Sequence, residues 1–227
     1  MGIAIYPIRL GLDRCYIIQD KGVIMIDGGF PQESRAFSQA ISEISIHSSE
    51  IQLLILTHGH FDHVGSAGDI KEITGSRIAI HRADKEWVER ALIIVWPPAV
   101  TTWGHIMRAV LKPLTPLLYR FPATPVDVVM GDEGFSLAEY GIPGSVIHTP
   151  GHTAGSVSVL LETGDAFVGC MAHNNFPFRL SPGLPIFAED LEQLRESWKL
   201  LLNQGARTIY PAHGEPFSAD IIRRGLS

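Results

Sequence analysis

The stretch IQLLILTHGHFDH, residues 51–63, places a run of apolar side chains directly before a dense cluster of polar ones. The apolar part is typical of a buried strand. The polar part brings His58, His60, Asp62 and His63 into six residues of a chain that has ten histidines. Imidazole nitrogens and carboxylate oxygens are ligands that zinc and related divalent metals prefer. The stretch therefore predicts a strand that ends at a metal site, and a solvated polar loop is the weaker interpretation.

Further candidate ligands lie far along the chain, each after a strand-like run. They are His152 in TPGHT, Cys170 in FVGC and His213 in YPAHG. Each is next to a glycine, which lets the backbone turn sharply. Because loops at the ends of strands in a rigid sheet often carry chemistry, we expect these side chains to converge with the first cluster.

At these residues the chain resembles the metallo-β-lactamase-fold hydrolases, whose pattern is His-x-His-x-Asp-His, then a distant His, an Asp or Cys, and a final His. The similarity covers nearly the whole chain and includes the opening CYII and GVIMIDGG and the closing PAHG. It implies an α/β fold, the four-layer αββα sandwich, with metals at one edge between the two sheets. The implied ligands are His58, His60 and His152 for a first zinc, and Asp62, His63 and His213 for a second.

Cys170 departs from the majority pattern, because most hydrolases of this fold carry a bridging aspartate there. The change resembles the di-zinc β-lactamases, in which a cysteine at this point binds the second metal. Those enzymes usually carry a lysine three residues later, whereas this chain has His173. Asp165 lies five residues earlier and is predicted to cap a turn. We expect Cys170 to be a metal ligand, and a small buried hydrophobic residue is the alternative.

The resemblance implies a hydrolase in which zinc-bound hydroxide attacks the carbonyl of an ester, thioester, lactone or lactam. Asp62 is the predicted catalytic residue, because as a ligand of the second zinc it would also orient the hydroxide. Two zinc ions are expected ahead of iron or manganese. The chain has no Gly-x-Ser-x-Gly motif to indicate a serine nucleophile.

Two other classes of function stay open. A mononuclear iron oxygenase of the same fold, acting on persulfides, would use the bridging aspartate that Cys170 replaces. A non-catalytic metal-binding module would have no need of an open dinuclear site. The leading expectation is a hydrolase of an apolar ester or lactone.

Length and composition fit one domain over residues 1–227, since 45% of the residues are hydrophobic. The net charge of −6 argues against nonspecific nucleic-acid binding, which relies on basic side chains. With two cysteines, Cys15 and Cys170, a disulfide framework is not expected. A thiolate ligand suits a reducing compartment, and residues 1–10 lack the pattern of a signal peptide, so a cytoplasmic location is expected.

Residues 92–125 form a Pro-rich apolar insert with six prolines and no acidic residue. Apolar side chains recur at helical spacing, but Pro113 and Pro116 are expected to break or kink any helix. We predict that the insert caps the cleft beside the metal site and accepts the apolar portion of a small-molecule substrate.

The aromatic residues expected to line such a cap are Trp96, Trp103 or Phe121. The alternatives for the insert are a connector packed in the core, a homodimer contact, or attachment to a membrane surface through its basic and apolar side chains. No stretch is long and regular enough for stable insertion into a bilayer.

Four further polar residues lie outside the ligand pattern. Asp27 ends an apolar strand and is expected to orient backbone or a ligand imidazole. His148 lies on the strand that leads to His152. Two interpretations stay open for it: a hydrogen bond that supports the site, or no role there. We expect His81 to be structural and His105 not to contact substrate.

Periodicity predicts strands at 3–9, 15–19, 23–26, 51–56, 77–80, 127–130, 134–137, 145–148, 156–161, 166–169 and 208–210. It predicts helices at 34–44, 65–74, 84–90 and 189–203. Two strand-rich halves, each followed by helices, indicate two sheets packed face to face and covered on both sides.

Overall fold

Two six-stranded β-sheets lie at the centre of the fold. The computed structural model describes residues 2–92 and 96–226, with all their side chains except those of residues 117 and 118. The strands of the first sheet, in spatial order, are β1 (Ala4–Leu10), β2 (Asp13–Gln19), β3 (Val23–Ile26), β4 (Ile51–Ile55), β5 (Arg77–His81) and β6 (Val128–Met130). The first three strands form an antiparallel meander, whereas β3 to β6 run parallel.

The second half of the chain builds the second sheet and a short separate ladder. Its strands are β7 (Phe135–Ser136), β8 (Gly144–His148), β9 (Val157–Leu161), β10 (Asp165–Phe167), β11 (His173–Asn174), β12 (Thr208–Tyr210), β13 (His213–Gly214) and β14 (Phe217–Ser218). The second sheet has the order β14-β12-β10-β9-β8-β7, and β11 pairs with β13 alone.

Helices follow or interrupt the strands. They are α1 (Ser34–Glu43), α2 (Phe61–Val64), α3 (Ala67–Thr74), α4 (Lys85–Glu89), α5 (Thr102–Leu111), α6 (Thr115–Leu118), α7 (Leu191–Asn203) and α8 (Asp220–Leu226).

The alternation of side chains along the strands separates the apolar layers. Ile17 of β2 packs in one buried cluster with Phe37 of α1, on the outer face of the first sheet. The next residue, Ile18, belongs to a second cluster that contains Val159 of β9 and therefore lies between the sheets. One residue of offset thus decides whether a side chain contacts a helix or the other sheet.

The same rule holds on the far side of the molecule. Leu160 of β9 packs with Leu194, Trp198 and Leu201, which are spaced at helical intervals along α7. The layers therefore follow the order helix, sheet, sheet, helix, and the predicted αββα architecture is confirmed.

Several predicted boundaries were wrong. The helix predicted at 65–74 is α3, which begins two residues later at Ala67, and the short helix α2 before it was missed. The predicted helix at 84–90 is confined to α4. Strands β11, β13 and β14 and helix α8 were missed. Each of these strands has only two residues, too few to show a periodic pattern, and they exist because distant segments pair with them.

The insert contains two helices whose ends coincide with its prolines. Helix α5 ends at Leu111, before Pro113, and Pro116 lies in the first turn of α6, where its missing N–H costs least. The predicted break is confirmed. Residues 93–95 of the insert lie outside the described residues.

Among the described residues, no helix has both the length and the apolar character needed to cross a membrane.

Candidate metal centre

The loop after β4 carries the first ligand candidates into the interior. His58 and His60 follow the strand, and His60 is the N-cap of the short helix α2. Asp62 and His63 lie in the single turn of that helix. His58, His60 and His63 are buried, and Asp62 is partly buried. A strand that ends against a one-turn helix therefore directs all four side chains into the same region.

The three distant candidates arrive at the same place from the second half of the chain. His152 follows β8, Cys170 lies in a 3₁₀ turn (Gly169–Met171) after β10, and His213 begins β13. All three are buried. The structure thus brings together all seven side chains that the sequence singled out.

One group of potential ligand atoms comes from three histidines. Ring nitrogens of His58, His60 and His152 lie within 4.8 Å of one another, and Nε2 of His152 is 3.1 Å from Nδ1 of His60. Nδ1 of His152 donates to the carbonyl of Phe187, so Nε2 is the ring nitrogen that faces the group. Nε2 of His58 is buried and has no hydrogen-bond partner among the described residues. Buried unpaired nitrogens are costly, so this group suits a cation.

A second group surrounds Cys170. Nε2 of His63 is 3.2 Å from Sγ of Cys170, and Nε2 of His213 is 3.6 Å from Oδ2 of Asp62. The nearest oxygen of Asp62 lies 4.0 Å from Nε2 of His63. Thiolate, imidazole and carboxylate donors so close together fit a divalent transition metal. Cys170 is therefore placed as a ligand would be.

Asp27 holds this cluster in place, as expected from the sequence. Its Oδ2 accepts a hydrogen bond from Nδ1 of His63 at 2.9 Å, which directs Nε2 into the cluster. Its Oδ1 accepts from the backbone N–H of Thr57 at 2.8 Å. Asp27 adopts the left-handed conformation with φ of 62°, a strained geometry that its several hydrogen bonds stabilise.

Asp13 is a buried carboxylate that the sequence analysis missed. Its Oδ1 lies 3.0 Å from Nδ1 of His213, and its Oδ2 lies 3.7 Å from Nε2 of His63. Burial raises its pKa from 3.8 to about 7, although the neighbouring imidazoles of His213 and His63 oppose the rise. The signal available in the sequence was an acidic residue two positions before the apolar run of β2.

Asp84 is a second missed residue, and it links two loops of the site. Its Oδ2 accepts from the N–H of Gly59 at 3.0 Å and from Oγ1 of Thr153 at 2.7 Å. Its Oδ1 accepts from the N–H of Gly155 at 3.0 Å. The carboxylate thereby connects the loop of His58 and His60 to the loop of His152.

Burial and neighbouring charges shift the pKa values of the candidate ligands towards the forms that bind metals. Burial lowers the pKa of His58 to about 4, so its imidazole is neutral at physiological pH. Burial alone would raise the pKa of the Cys170 thiol, but the imidazoles of His213, His63 and His152 lower it well below its usual value. The lowered pKa of Cys170 favours its thiolate, the form that binds metals.

An apolar cleft opens directly onto the cluster. Its floor includes His60, Asp62, His152, Cys170 and His213. Its walls include Leu12, Phe30, Phe61, Trp96, Met107, Leu111, Leu114, Tyr119, Phe178 and Phe187. The insert supplies much of one wall, so it lies beside the cluster.

Of the three aromatic residues predicted to line the cleft, only Trp96 does so. Trp103 is 45% exposed and its Nε1 donates to the carbonyl of Pro177. Phe121 is buried in the cluster between the first sheet and its helices. The expectation of Trp96, Trp103 or Phe121 is thus met by Trp96. Helical spacing alone does not show which side of a proline-broken segment faces the site. His105 is exposed and does not line the cleft, as expected.

His81 and His148 form a separate cluster. Their rings stack with centroids 4.1 Å apart, and both contact Asp132, at 3.0 Å and 3.6 Å. Nε2 of His148 donates to the carbonyl of Ala154, which lies in the loop of His152. His148 thus supports that loop, and within the described residues no hydrogen bond joins it to any of the seven candidate ligands.

Comparison with known proteins places the chain in a family. The model of the Metallo-beta-lactamase superfamily matches residues 10–213, and the chain belongs to that superfamily. Membership supports metal-dependent hydrolysis as the general class of activity.

Individual relatives are distant. The chain is 27% identical to "Probable metallo-hydrolase YflN" of Bacillus subtilis, over 98% of this chain and 88% of that protein. It is 28% identical to the hydroxyacylglutathione hydrolase GloC of Haemophilus influenzae, over 78% of this chain and 77% of that protein. The structure of TTHA1623 in a di-iron-bound form superposes with a TM-score of 0.66 at 24% identity, covering 95% of this chain and 96% of that one. At this identity the structural likeness establishes the fold.

Proposed function

We propose that this protein is a zinc-dependent hydrolase of carbonyl compounds that carry an apolar portion, such as esters, lactones, thioesters or lactams. The observation that carries the proposal is the apolar cleft whose floor includes five of the seven candidate ligands. A site with this composition places an apolar substrate against a cation. The relatives described as metallo-hydrolases and the hydroxyacylglutathione hydrolase support the same reaction class.

The donor atoms divide into two sets. His58, His60 and His152 would hold a first zinc. The candidates for the second zinc are Asp62, His63, Cys170 and His213. When bound, zinc lowers the pKa of coordinated water towards 7 and polarises a carbonyl oxygen.

Asp62 is the proposed catalytic residue. Its side chain is 17% exposed and lines the cleft, so it is accessible to a substrate and to water. Burial alone would raise the pKa of Asp62, but His63 and His213 lower it below its usual value. Asp62 is therefore a carboxylate at neutral pH, able to accept a hydrogen bond from the attacking water and orient it.

The insert is proposed to select the substrate. Met107, Leu111 and Leu114 contribute apolar surface to one wall of the cleft, and Trp96 adds an aromatic ring. Burial of an apolar group against these side chains would position the carbonyl above the ligand cluster.

Zinc is proposed in preference to iron because of the donors. A thiolate and several imidazoles form a nitrogen- and sulfur-rich set, which zinc binds well. The likeness to TTHA1623, which is described in a di-iron-bound form, makes iron the alternative to test.

The test combines metal analysis with turnover. Protein purified without added metal should contain two zinc ions per chain, and Cys170→Ser should contain one. The parent should hydrolyse members of a panel of esters, lactones, thioesters and lactams. Asp62→Ala should lose on the order of 100-fold in kcat, whereas Glu72→Ala, which removes an exposed carboxylate of α3, should match the parent.

Other outcomes would replace the proposal. Unchanged turnover in Asp62→Ala on every accepted substrate would exclude the role given to that carboxylate. One iron per chain would favour the oxygenase. A chain that binds no metal and hydrolyses nothing would reject the zinc hydrolase.

A further inference from the structure

His173 is a buried imidazole beside the ligand cluster that no role described above uses. His173 is 1% exposed. Neither Nδ1 nor Nε2 has a hydrogen-bond partner among the described residues. Leaving two polar ring atoms unpaired in a protein interior costs free energy, so such a group needs a physical explanation.

Backbone pairing with two other segments fixes the position of His173. His173 pairs with His213 in the parallel ladder of β11 and β13. Its backbone N–H donates to the carbonyl of Gly183 at 3.1 Å, and its own carbonyl accepts from the N–H of Gly183 at 3.2 Å. These contacts hold His173 between a ligand candidate on one side and a loop on the other. Its position beside His213 is therefore a product of the fold.

The side chain faces donor atoms. One potential ligand atom each from Cys170, His173 and His213 lie within 4.8 Å of one another. The ring of Phe178 covers both imidazoles, with centroids 4.8 Å from His173 and 4.3 Å from His213. His173 also lines the apolar cleft. A thiolate and two imidazoles directed to one point form a donor set of the kind that zinc prefers.

His63 offers a contrast. Its Nδ1 is engaged by Asp27 and its Nε2 by Sγ of Cys170, so both nitrogens have partners without any cation. His173 has none. Of these two imidazoles, His173 gains more from a bound cation.

We propose that His173 is a ligand of the second metal, together with Cys170 and His213. This inference rests on the proposed function, because it requires that the cluster holds metal.

The test measures metal binding directly. Metal-free parent and His173→Ala are titrated with Zn²⁺ in competition with a chromophoric chelator, and with Co²⁺ as a spectroscopic probe. We expect the parent to bind two ions and His173→Ala to bind the second roughly 100-fold more weakly. We also expect the visible cobalt bands of the second site to change, because an imidazole is lost. The thiolate-to-cobalt band in the near ultraviolet should persist in both.

Phe178→Leu is the matched control, since it disturbs the packing around His173 and His213 without removing a donor atom. It should keep the second metal and the cobalt spectrum of the parent. If His173→Ala does not fold, His173→Gln retains similar bulk and should show the same weakening.

Each remaining outcome counts against the inference. If a His173 variant keeps both affinities and the cobalt spectrum while KM for an accepted substrate rises, His173 contacts substrate and the metal assignment is overturned. If Phe178→Leu loses the second metal as His173→Ala does, loss of packing accounts for the effect and the assignment is also overturned. If the parent binds no metal, both this inference and the proposed function are rejected.

Discussion

Three buried aspartates determine the geometry of the ligand cluster at the scale of single residues. Asp27 contacts His63, Asp13 contacts His213, and Asp84 joins the two loops that carry the first three histidines. A carboxylate that accepts from one nitrogen of an imidazole fixes which nitrogen is free to bind a metal. The orientation of the candidate ligands therefore depends on three aspartates that are not themselves among the proposed metal ligands.

The first prediction concerns Asp27→Asn. Asparagine tolerates the left-handed backbone that residue 27 adopts, so the change removes charge with little added strain. We expect zinc affinity to fall roughly 10- to 100-fold, because the hydrogen bond from Nδ1 of His63 to residue 27 is weakened. Chelator competition measures the affinity. Asp220→Asn, an exposed change in α8, is the control, and equal affinities for both variants would refute the role given to Asp27.

A second prediction concerns the dependence of stability on pH. Asp127 accepts from Nζ of Lys71 at 2.7 Å and from the N–H of Ile78 at 2.8 Å. Burial alone would raise the pKa of Asp127, but Lys71 and the N–H of Ile78 lower it below 3.8. Its contribution to stability is thus fully present above the unfolded-state pKa of about 4 and is lost as pH falls through the lower folded-state pKa.

We therefore expect Asp127→Asn to reduce the free energy of unfolding by about 1–2 kcal/mol at pH 7. The difference from the parent should shrink in acid, below about pH 4. Urea unfolding of both proteins at several pH values measures it, since all other titrating groups are shared. A difference that grew in acid would contradict this assignment of the pKa.

At the scale of elements, the insert shows how a proline-broken segment can form a wall. Helices α5 and α6 are too short to be stable alone. Helix α5 packs through Met107 against the loop that contains Ile186 and Phe187. The same arrangement leaves Leu111 and Leu114 facing the cleft. Pro113 lies between the two helices and Pro116 lies in the first turn of α6, so one continuous helix does not form there.

A third prediction tests this wall. Leu114 lines the cleft although it is 42% exposed, so Leu114→Asn should change substrate binding more than stability. For a substrate with a long apolar portion we expect KM to rise about 5-fold, as loss of about 1 kcal/mol of apolar contact would produce. Leu200→Asn in α7, at a residue 40% exposed and outside the cleft, is the control. Equal effects of the two changes would exclude a role of the insert in selection.

At the scale of the whole molecule, an apolar face of α5 remains uncovered. Trp103, Ile106 and Val110 are 45%, 52% and 56% exposed and follow one another at helical spacing. Such a face is unfavourable in water and suits a self-complementary contact between two copies of the chain. We therefore propose a homodimer through the insert.

The fourth prediction follows from that proposal. Sedimentation or light scattering should show a mass that rises with concentration towards that of a dimer, and Ile106→Glu should remain monomeric. Leu180→Glu, at a residue 94% exposed and outside α5, should behave as the parent does. A parent that stays monomeric over the whole concentration range would exclude the contact.

Local pattern in the sequence was sufficient for the family, the layer order and the identity of the seven candidate ligands. Strand periodicity predicted β4 and β9, because alternation and apolar runs are properties of adjacent residues. Residues 58–63 and the glycine-flanked His152, Cys170 and His213 were recognisable because their chemistry and their spacing are both local.

Only the tertiary structure showed that Asp13 and Asp84 support the site and that the ring nitrogens of His173 are unpaired. Only it showed that Trp96 lines the cleft and Trp103 does not. These features depend on which distant segments pack together, as when β11 pairs with β13 and places His173 beside His213. Burial and the partners of a polar atom are properties of the packed chain, since they arise when water is excluded from between segments far apart in sequence. The candidate ligands could therefore be recognised in the sequence, whereas the side chains that orient them and the cleft beside them were decided by the fold.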